Sequence, residues 1–316
     1  MPRKKKQSRA KSYVYLLINT VCWGAALIVV KPALSTTTPF RFLLYRYFFA
    51  SVFSLPILFH FWQRVRNRTK KIKTIFKLDF IGTVLALAFL YIGLARTTAI
   101  EASLLTSTTP IFIVLAGIFL LKEKQEKHEW FGLMLAFVGT IFLTAVPFLN
   151  GYFINQGLSF MGNLLIIGHN ISTAVYFVWA KKEYKNIPKF FVTTISFYLG
   201  IFSFLLLSLW ELDFSTQTLI QNIISDFTQQ SVWIASLYMA LFGSIIGLTA
   251  YIKGQEGIEA SEASLFWYLQ PLVYIPLGIV LLNEHVSIYQ IGALAVILIG
   301  VVVTEKRQGE SRSERG

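Results

Sequence analysis

The chain has 316 residues, of which 55% are hydrophobic and 14% charged, with a net charge of +13. A soluble globular chain carries about a quarter charged residues, so this composition excludes a water-soluble enzyme or binding module and implies a polytopic membrane protein. The basic excess would suit nucleic acid, but it is confined to short loops and tails, which points instead to orientation in a bilayer.

The N-terminus, MPRKKKQSRAK, is a basic arm followed by an apolar run about twice as long as the core of a secretory signal, and reads as an uncleaved first span. Ten apolar blocks follow one another, at 13–34, 42–62, 78–94, 102–121, 130–149, 158–180, 190–210, 232–252, 263–282 and 288–304. Each has roughly the length that crosses a bilayer core at about 1.5 Å per residue. Lys and Arg concentrate at 1–11, 63–77, 122–127, 181–189 and 306–315, whereas 150–157 and 211–231 contain none. Basic loops face the cytoplasm, which places both termini there. In the 211–231 segment, Leu219, Ile220, Ile223, Ile224 and Phe227 recur at helical spacing, which fits a short helix on the membrane surface, with a disordered loop as the alternative. The single cysteine, Cys22, excludes an internal disulfide.

Residues 100–110 read IEASLLTSTTP and residues 261–271 read SEASLFWYLQP. At the same offset of 161, Gly117 echoes Gly278, Glu123 echoes Glu284 and Gly139 echoes Gly300. This is an internal duplication, and five spans per copy make the second copy cross the membrane upside-down relative to the first. The expected fold is an all-α polytopic membrane protein with ten transmembrane helices in two inverted five-helix repeats. Its parts are a basic arm 1–11, a first repeat 12–149, a second repeat 150–304 and a C-terminal tail 305–316. Inverted repeats of this kind recur in secondary transporters, with the solute held where the halves meet. Pro110 and Pro271 lie about nine residues into their spans, roughly 13 Å deep. Each disturbs the carbonyl four residues earlier, at Thr106 and Trp267, and a hydrated cavity is expected to satisfy those carbonyls, with a bend that serves packing alone as the alternative.

Trp23-Gly24, Arg46, and the pattern Ser103-Leu104…Pro110…Leu120-Leu121-Lys122-Glu123, repeated as Ser264-Leu265…Pro271…Leu281-Leu282-Asn283-Glu284, resemble the drug/metabolite transporter superfamily and its EamA-type ten-span members. The resemblance covers nearly the whole chain and implies a carrier of small metabolites, amino acids or amphipathic compounds, often an exporter. The first two spans of the second copy depart from it, since they hold no evident Trp-Gly or arginine equivalent.

Polar and aromatic residues near mid-span are the candidates for contact with a solute: Trp23, Thr106, Ser107, Asn170, Ser244, Trp267 and Gln270, with Pro110 and Pro271 bending the helices around them. Asn170 serves equally as a bond to a neighbouring helix or as a cavity-lining amide. His169 is the one central titrating candidate, with a hydrogen bond to a carbonyl as its alternative. Tyr91 and Tyr251, near span ends, are weaker candidates. Lys31 is placed to snorkel to the interface, and Arg46 to anchor or form an ion pair. No Asp or Glu falls in the middle of a block, so a carrier without proton coupling is expected. Gly243 and Gly247 form a GxxxG that admits a close helix. Catalytic groups, metals and cofactors are not expected. The expected partners are a small solute and the lipid bilayer, the oligomeric state is open, and a bacterial cytoplasmic membrane is the expected location, although the basic loops fit a eukaryotic membrane equally well. Two other functions share this fold reading: a non-transporting structural or signalling protein, and a membrane-embedded lipid enzyme, for which isolated histidines supply no catalytic cluster.

Overall fold

The computed structural model describes residues 9–62, 65, 67–121, 127–149, 156–184, 187–254 and 265–305, and every regular element among them is helical. Seven helices are long and apolar enough to cross a membrane: Arg9–Ser35, Pro39–His60, Arg68–Arg96, Ala99–Leu120, Ser159–Ala180, Phe190–Trp210 and Gln230–Tyr251. They fall on blocks one to four and six to eight. Blocks five, nine and ten form shorter apolar helices, Trp130–Leu143, Phe266–Leu282 and Ile288–Gly300. Helix one to helix ten take their numbers from these blocks.

Helices four and nine are interrupted where their prolines foretell it. Helix four stops at Thr106 and restarts at Thr109, and a 3-10 turn at Leu265–Leu269 precedes Pro271–Leu282 in helix nine. Each proline thus occupies a first turn, where its missing N–H costs little. The two disturbed carbonyls differ from expectation in finding protein partners rather than a hydrated cavity. The Thr109 hydroxyl donates to the Thr106 carbonyl at 2.6 Å, and the Gln270 amide donates to the Trp267 carbonyl at 3.1 Å.

Contacts between the halves are reciprocal. A Cβ on Gly139 would lie 2.8 Å from Ile297, and one on Gly300 would lie 2.5 Å from the Ala136 amide nitrogen. Ala136 and Gly139 are the residues 161 positions before Ile297 and Gly300. The pairing rises along helix five as it falls along helix ten, so these equivalent helices run antiparallel, as inverted repeats require. Helix two packs on helix seven in the same self-related way, with Tyr47 beside Phe197, 150 positions later. Helix three packs on six and helix one on eight, an exchange of the two halves. The offset is therefore 150 for the first two helices of each half and 161 for the last three. The eleven-residue difference falls between helices seven and eight, in a segment that contains the helix Thr216–Thr228.

That connecting helix forms where the apolar spacing predicts it, with the Ser215 hydroxyl capping it through the Thr218 amide. Leu219 and Asp226 are buried, whereas Ile220 and Ile224 are 58% and 65% exposed. Asp226 fastens it to the start of helix two. One carboxylate oxygen accepts from the Thr37 hydroxyl (2.6 Å), Arg41 Nε (2.8 Å) and the Tyr45 hydroxyl (2.6 Å). The two halves also share a π-helical turn, Phe80–Leu85 in helix three and Met239–Ile246 in helix eight, at equivalent positions. Such turns widen a helix locally and recur at functional sites.

Candidate functional site

Helix eight organises the site through its π-helical turn. Gly243 leaves its carbonyl open to the Trp23 indole N–H, which donates at 3.0 Å from helix one. The indole rests against Gly247, where a Cβ would come within 2.7 Å of its nitrogen. The GxxxG pair thus admits a helix of the same chain. Trp23 lies 5.5 Å from the Tyr251 ring and 5.4 Å from Trp267, and Phe177 of helix six closes the group at 6.1 and 6.2 Å from the same two rings. Four helices therefore contribute one ring each to a single aromatic cluster. The Trp267 indole N–H is buried there without a hydrogen-bond partner among the described residues, a costly arrangement for a donor.

Ser244, the next residue of the π-helical turn, faces helix two. Its hydroxyl accepts from Arg46 Nε and Nη2, each at 3.2 Å, while Arg46 Nη1 donates to the Tyr91 hydroxyl at 2.9 Å. The guanidinium also lies 5.4 Å over the Tyr47 ring. Of the two roles expected of Arg46, anchoring and ion pairing, the second finds no carboxylate within ion-pair distance among the described residues. Lys31 reaches toward the end of helix three, where its ammonium donates to the Leu94 and Thr97 carbonyls.

The other sequence candidates sit at the helix breaks. Asn170 donates to the Leu105 carbonyl (2.8 Å) and the Thr108 hydroxyl (3.1 Å), and accepts from the Thr109 hydroxyl (2.9 Å). It thereby clamps the break that Pro110 follows. His169 Nδ1 is 2.9 Å from the Ala86 carbonyl. The Thr106 and Ser107 hydroxyls donate to their own helix, at the Ser103 and Leu104 carbonyls. Gln270 is buried at the break of helix nine, and Pro271 lines an apolar groove of about 300 Å³ with Leu272, Ile275, Pro276, Leu294 and Leu298. Trp23 and Trp267 are thus drawn together, Ser244 follows the residue whose carbonyl Trp23 bonds, and Thr106, Ser107, Pro110 and Asn170 gather at the break of helix four.

The family model for the EamA-like transporter family matches residues 10–145 and 160–305. The chain belongs to that family. A transporter called YetK of Bacillus subtilis (strain 168), named as uncharacterized, is similar, 28% identical over 97% of this chain and 90% of that one. The YcxC transporter of the same organism, named likewise, is 25% identical over 94% and 93%. An uncharacterized transporter of Archaeoglobus fulgidus is 24% identical over 95% and 99%. A crystal structure of a protein 18% identical shares the fold, with a TM-score of 0.62 over 96% of this chain and all of that one. The chain is therefore an integral membrane protein of a transporter family.

For an EamA-like protein the internal two-fold separates scaffold from speciality. His169 bonding the Ala86 carbonyl has a mate in Asn19, whose amide donates to the Gly247 carbonyl at 3.0 Å. Asn170 bonding the Leu105 carbonyl has a mate in Thr20, whose hydroxyl lies 3.1 Å from the Phe266 carbonyl. The mates stand 150 positions apart on the first helices and 161 on the later ones. These four are paired tethers between the first helix of each half and the neighbouring helices. The aromatic cluster has no such twin, because Thr173, Leu90, Thr106 and Leu27 stand at the positions equivalent to Trp23, Tyr251, Trp267 and Phe177.

One residue escaped the sequence analysis. Asp79 lies inside helix three, immediately before the π-helical turn, and is 0% exposed. The Tyr184 hydroxyl donates to one carboxylate oxygen at 3.1 Å, and the other has no hydrogen-bond partner among the described residues. Helix three runs unbroken from Arg68, well before the apolar block at 78, so Asp79 is carried into the bundle rather than left at its edge.

Proposed function

We propose that this chain is a ten-span carrier that moves a small amphipathic solute out of a bacterial cell, or exchanges it, by alternating access. Both termini then face the cytoplasm, as the basic loops require. The single observation that carries the reading is the aromatic cluster of Trp23, Phe177, Tyr251 and Trp267, which breaks the two-fold of an otherwise reciprocal bundle. Reciprocal contacts are accounted for by assembly of the two halves. A one-sided cluster with an unpartnered indole N–H is accounted for by a bound solute that supplies the acceptor. Trp23, Trp267 and Ser244 are the contact residues in this reading. Gln270 and Pro271 shape the helix-nine side, and Thr106, Ser107 and Pro110 the helix-four side, with Asn170 and His169 holding helix six in place.

The test is counterflow in liposomes loaded with a bacterial metabolite extract. At least one solute is expected to exchange faster through vesicles containing the protein than through empty ones. Trp267→Ala is expected to lower that flux about tenfold or more, and Trp267→Phe to lower it less, with equal protein in the bilayer. Equal flux in empty and protein-containing vesicles for every solute overturns the carrier reading.

A further inference from the structure

Arg46 is half-buried, although the three residues that surround its guanidinium are not: Tyr91 is 0%, Ser244 2% and Tyr47 4% exposed. Arg46 therefore keeps accessible surface that none of these three neighbours shares. A guanidinium offers five N–H donors in a rigid fork. Nε and one donor of Nη2 go to Ser244, one donor of Nη1 goes to Tyr91, and two donors are left without a partner among the described residues. Both acceptors are neutral hydroxyls. Hydroxyls orient a cation, but they do not balance its charge, and an uncompensated charge in a membrane bundle is expensive.

The buried carboxylate of the neighbourhood, Asp79, does not discharge this debt, since it bonds Tyr184 and not Arg46. Arg46 also has no scaffold duty imposed by the two-fold. Its equivalent in the second half is Ser196, while the equivalents of Tyr91 and Ser244 are Ile252 and Thr83. The charge and the Tyr91 hydroxyl are thus special to one half, as the aromatic cluster is, whereas the Ser244 hydroxyl is matched by that of Thr83. The two features also touch through helix eight, because Trp23 bonds the carbonyl of Gly243 and Arg46 bonds the side chain of Ser244.

We propose that Arg46 is the anion subsite of the carrier, with Tyr91 and Ser244 as the residues that hold its fork in place, and that the solute is a small monocarboxylate with an apolar or aromatic body. This rests on the carrier reading above and specifies its substrate class. The two free N–H donors match the two oxygens of a carboxylate, and one positive charge neutralises a monoanion. A phosphate dianion would leave one charge buried. The apolar body extends toward the Trp23–Trp267 cluster.

The experiment uses the purified full-length protein in detergent and follows its tryptophan fluorescence. The probes are benzoate, 3-phenylpropionate and indole-3-acetate, each paired with its neutral primary amide, with phenyl phosphate as a dianion. At least one acid is expected to bind about tenfold or more tightly than its amide, and more tightly than phenyl phosphate. Arg46→Gln is expected to abolish that preference by weakening the acid alone, and Arg46→Lys to retain part of it. If Arg46→Gln is not monodisperse, Tyr91→Phe and Ser244→Ala carry the test, each expected to weaken the acid severalfold and leave the amide unchanged. The proposal is overturned if no acid outbinds its amide, if phenyl phosphate binds best, or if these substitutions leave acid binding intact. Counterflow of uncharged solutes in the liposome assay would leave the carrier standing while the anion subsite falls.

Discussion

Asn170 and Thr20 occupy equivalent places, yet their chemistry differs in a measurable way. Asn170 spends its amide nitrogen on the Leu105 carbonyl and the Thr108 hydroxyl, and its oxygen on Thr109, all across a helix–helix contact. The Thr20 hydroxyl faces the Phe266 carbonyl but also donates within its own helix, to Leu16 at 2.9 Å. Truncating Asn170 removes three bonds across a helix–helix contact, at about 0.5–1.5 kcal/mol each, although Leu105, Thr108 and Thr109 each keep a bond within helix four, whereas Thr20→Val costs chiefly one shared bond. Asn170→Ala is therefore expected to lower the thermal unfolding midpoint in detergent by clearly more than Thr20→Val. Equal midpoints for the two variants would show that the break of helix four does not depend on this clamp. At this scale the sequence exposes which residues are polar and mid-span, which is how His169, Asn170 and Trp23 stand out. It hides what each one meets, because a hydrogen bond to a backbone carbonyl 65 or 83 positions away leaves no side-chain signature.

Elements differ in how openly they declare themselves. The breaks in helices four and nine are announced by Pro110 and Pro271, and the connecting helix by its apolar spacing. The π-helical turns at Phe80–Leu85 and Met239–Ile246 have no residue that demands them, and the early start of helix three, which buries Asp79, is masked by a basic run that reads as loop. The connecting helix also depends on something its spacing does not reveal, the buried pair between Asp226 and Arg41 at 2.8 Å. Removing one member of such a pair costs about 3–5 kcal/mol, because the other is left charged and buried, while replacing both with apolar residues is often neutral. Asp226→Ala also orphans the Thr37 and Tyr45 hydroxyls. It is expected to make the 211–229 segment sensitive to limited proteolysis in folded protein, and Arg41→Met with Asp226→Leu to restore much of the resistance. Wild-type resistance in the single variant would mean that Leu219 and its apolar neighbours suffice to seat the helix.

For the whole molecule, the duplication is legible in the last three helices of each half, where the offset of 161 survives in Glu-Ala-Ser-Leu, the prolines and the closing glycines. It is lost in the first two, because eleven further residues separate helices seven and eight and shift the earlier match to 150; only the folded chain shows that His169 answers Asn19. The aromatic and arginine features of the site resist sequence reading for the opposite reason, having no counterpart to be matched against. Where the two-fold does hold, it makes a quantitative demand at the helix five–helix ten contact. A methyl group on Gly139 meets first the Ile297 Cγ1 at 2.8 Å, a side-chain atom, and then the Ile297 nitrogen at 3.1 Å. On Gly300 it meets backbone at once, the Ala136 nitrogen at 2.5 Å and the Gly132 carbonyl at 2.6 Å. A side chain yields by changing rotamer or being cut back, and backbone yields only by moving the helices apart, at about 1–3 kcal/mol for modest overpacking and more when the contact is rigid. Gly300→Ala is therefore expected to lower the unfolding midpoint more than Gly139→Ala does. Adding Ile297→Ala, which removes the obstructing Cγ1, is expected to recover part of the Gly139→Ala loss relative to Ile297→Ala alone, a coupling that adjacent sites show in double-mutant cycles. The same Ile297→Ala change leaves the Ala136 backbone in place and is expected to give Gly300→Ala no relief. If both glycine variants are as stable as the parent, helices five and ten do not meet at this crossing, and the antiparallel pairing that defines the inverted halves would have to be drawn elsewhere.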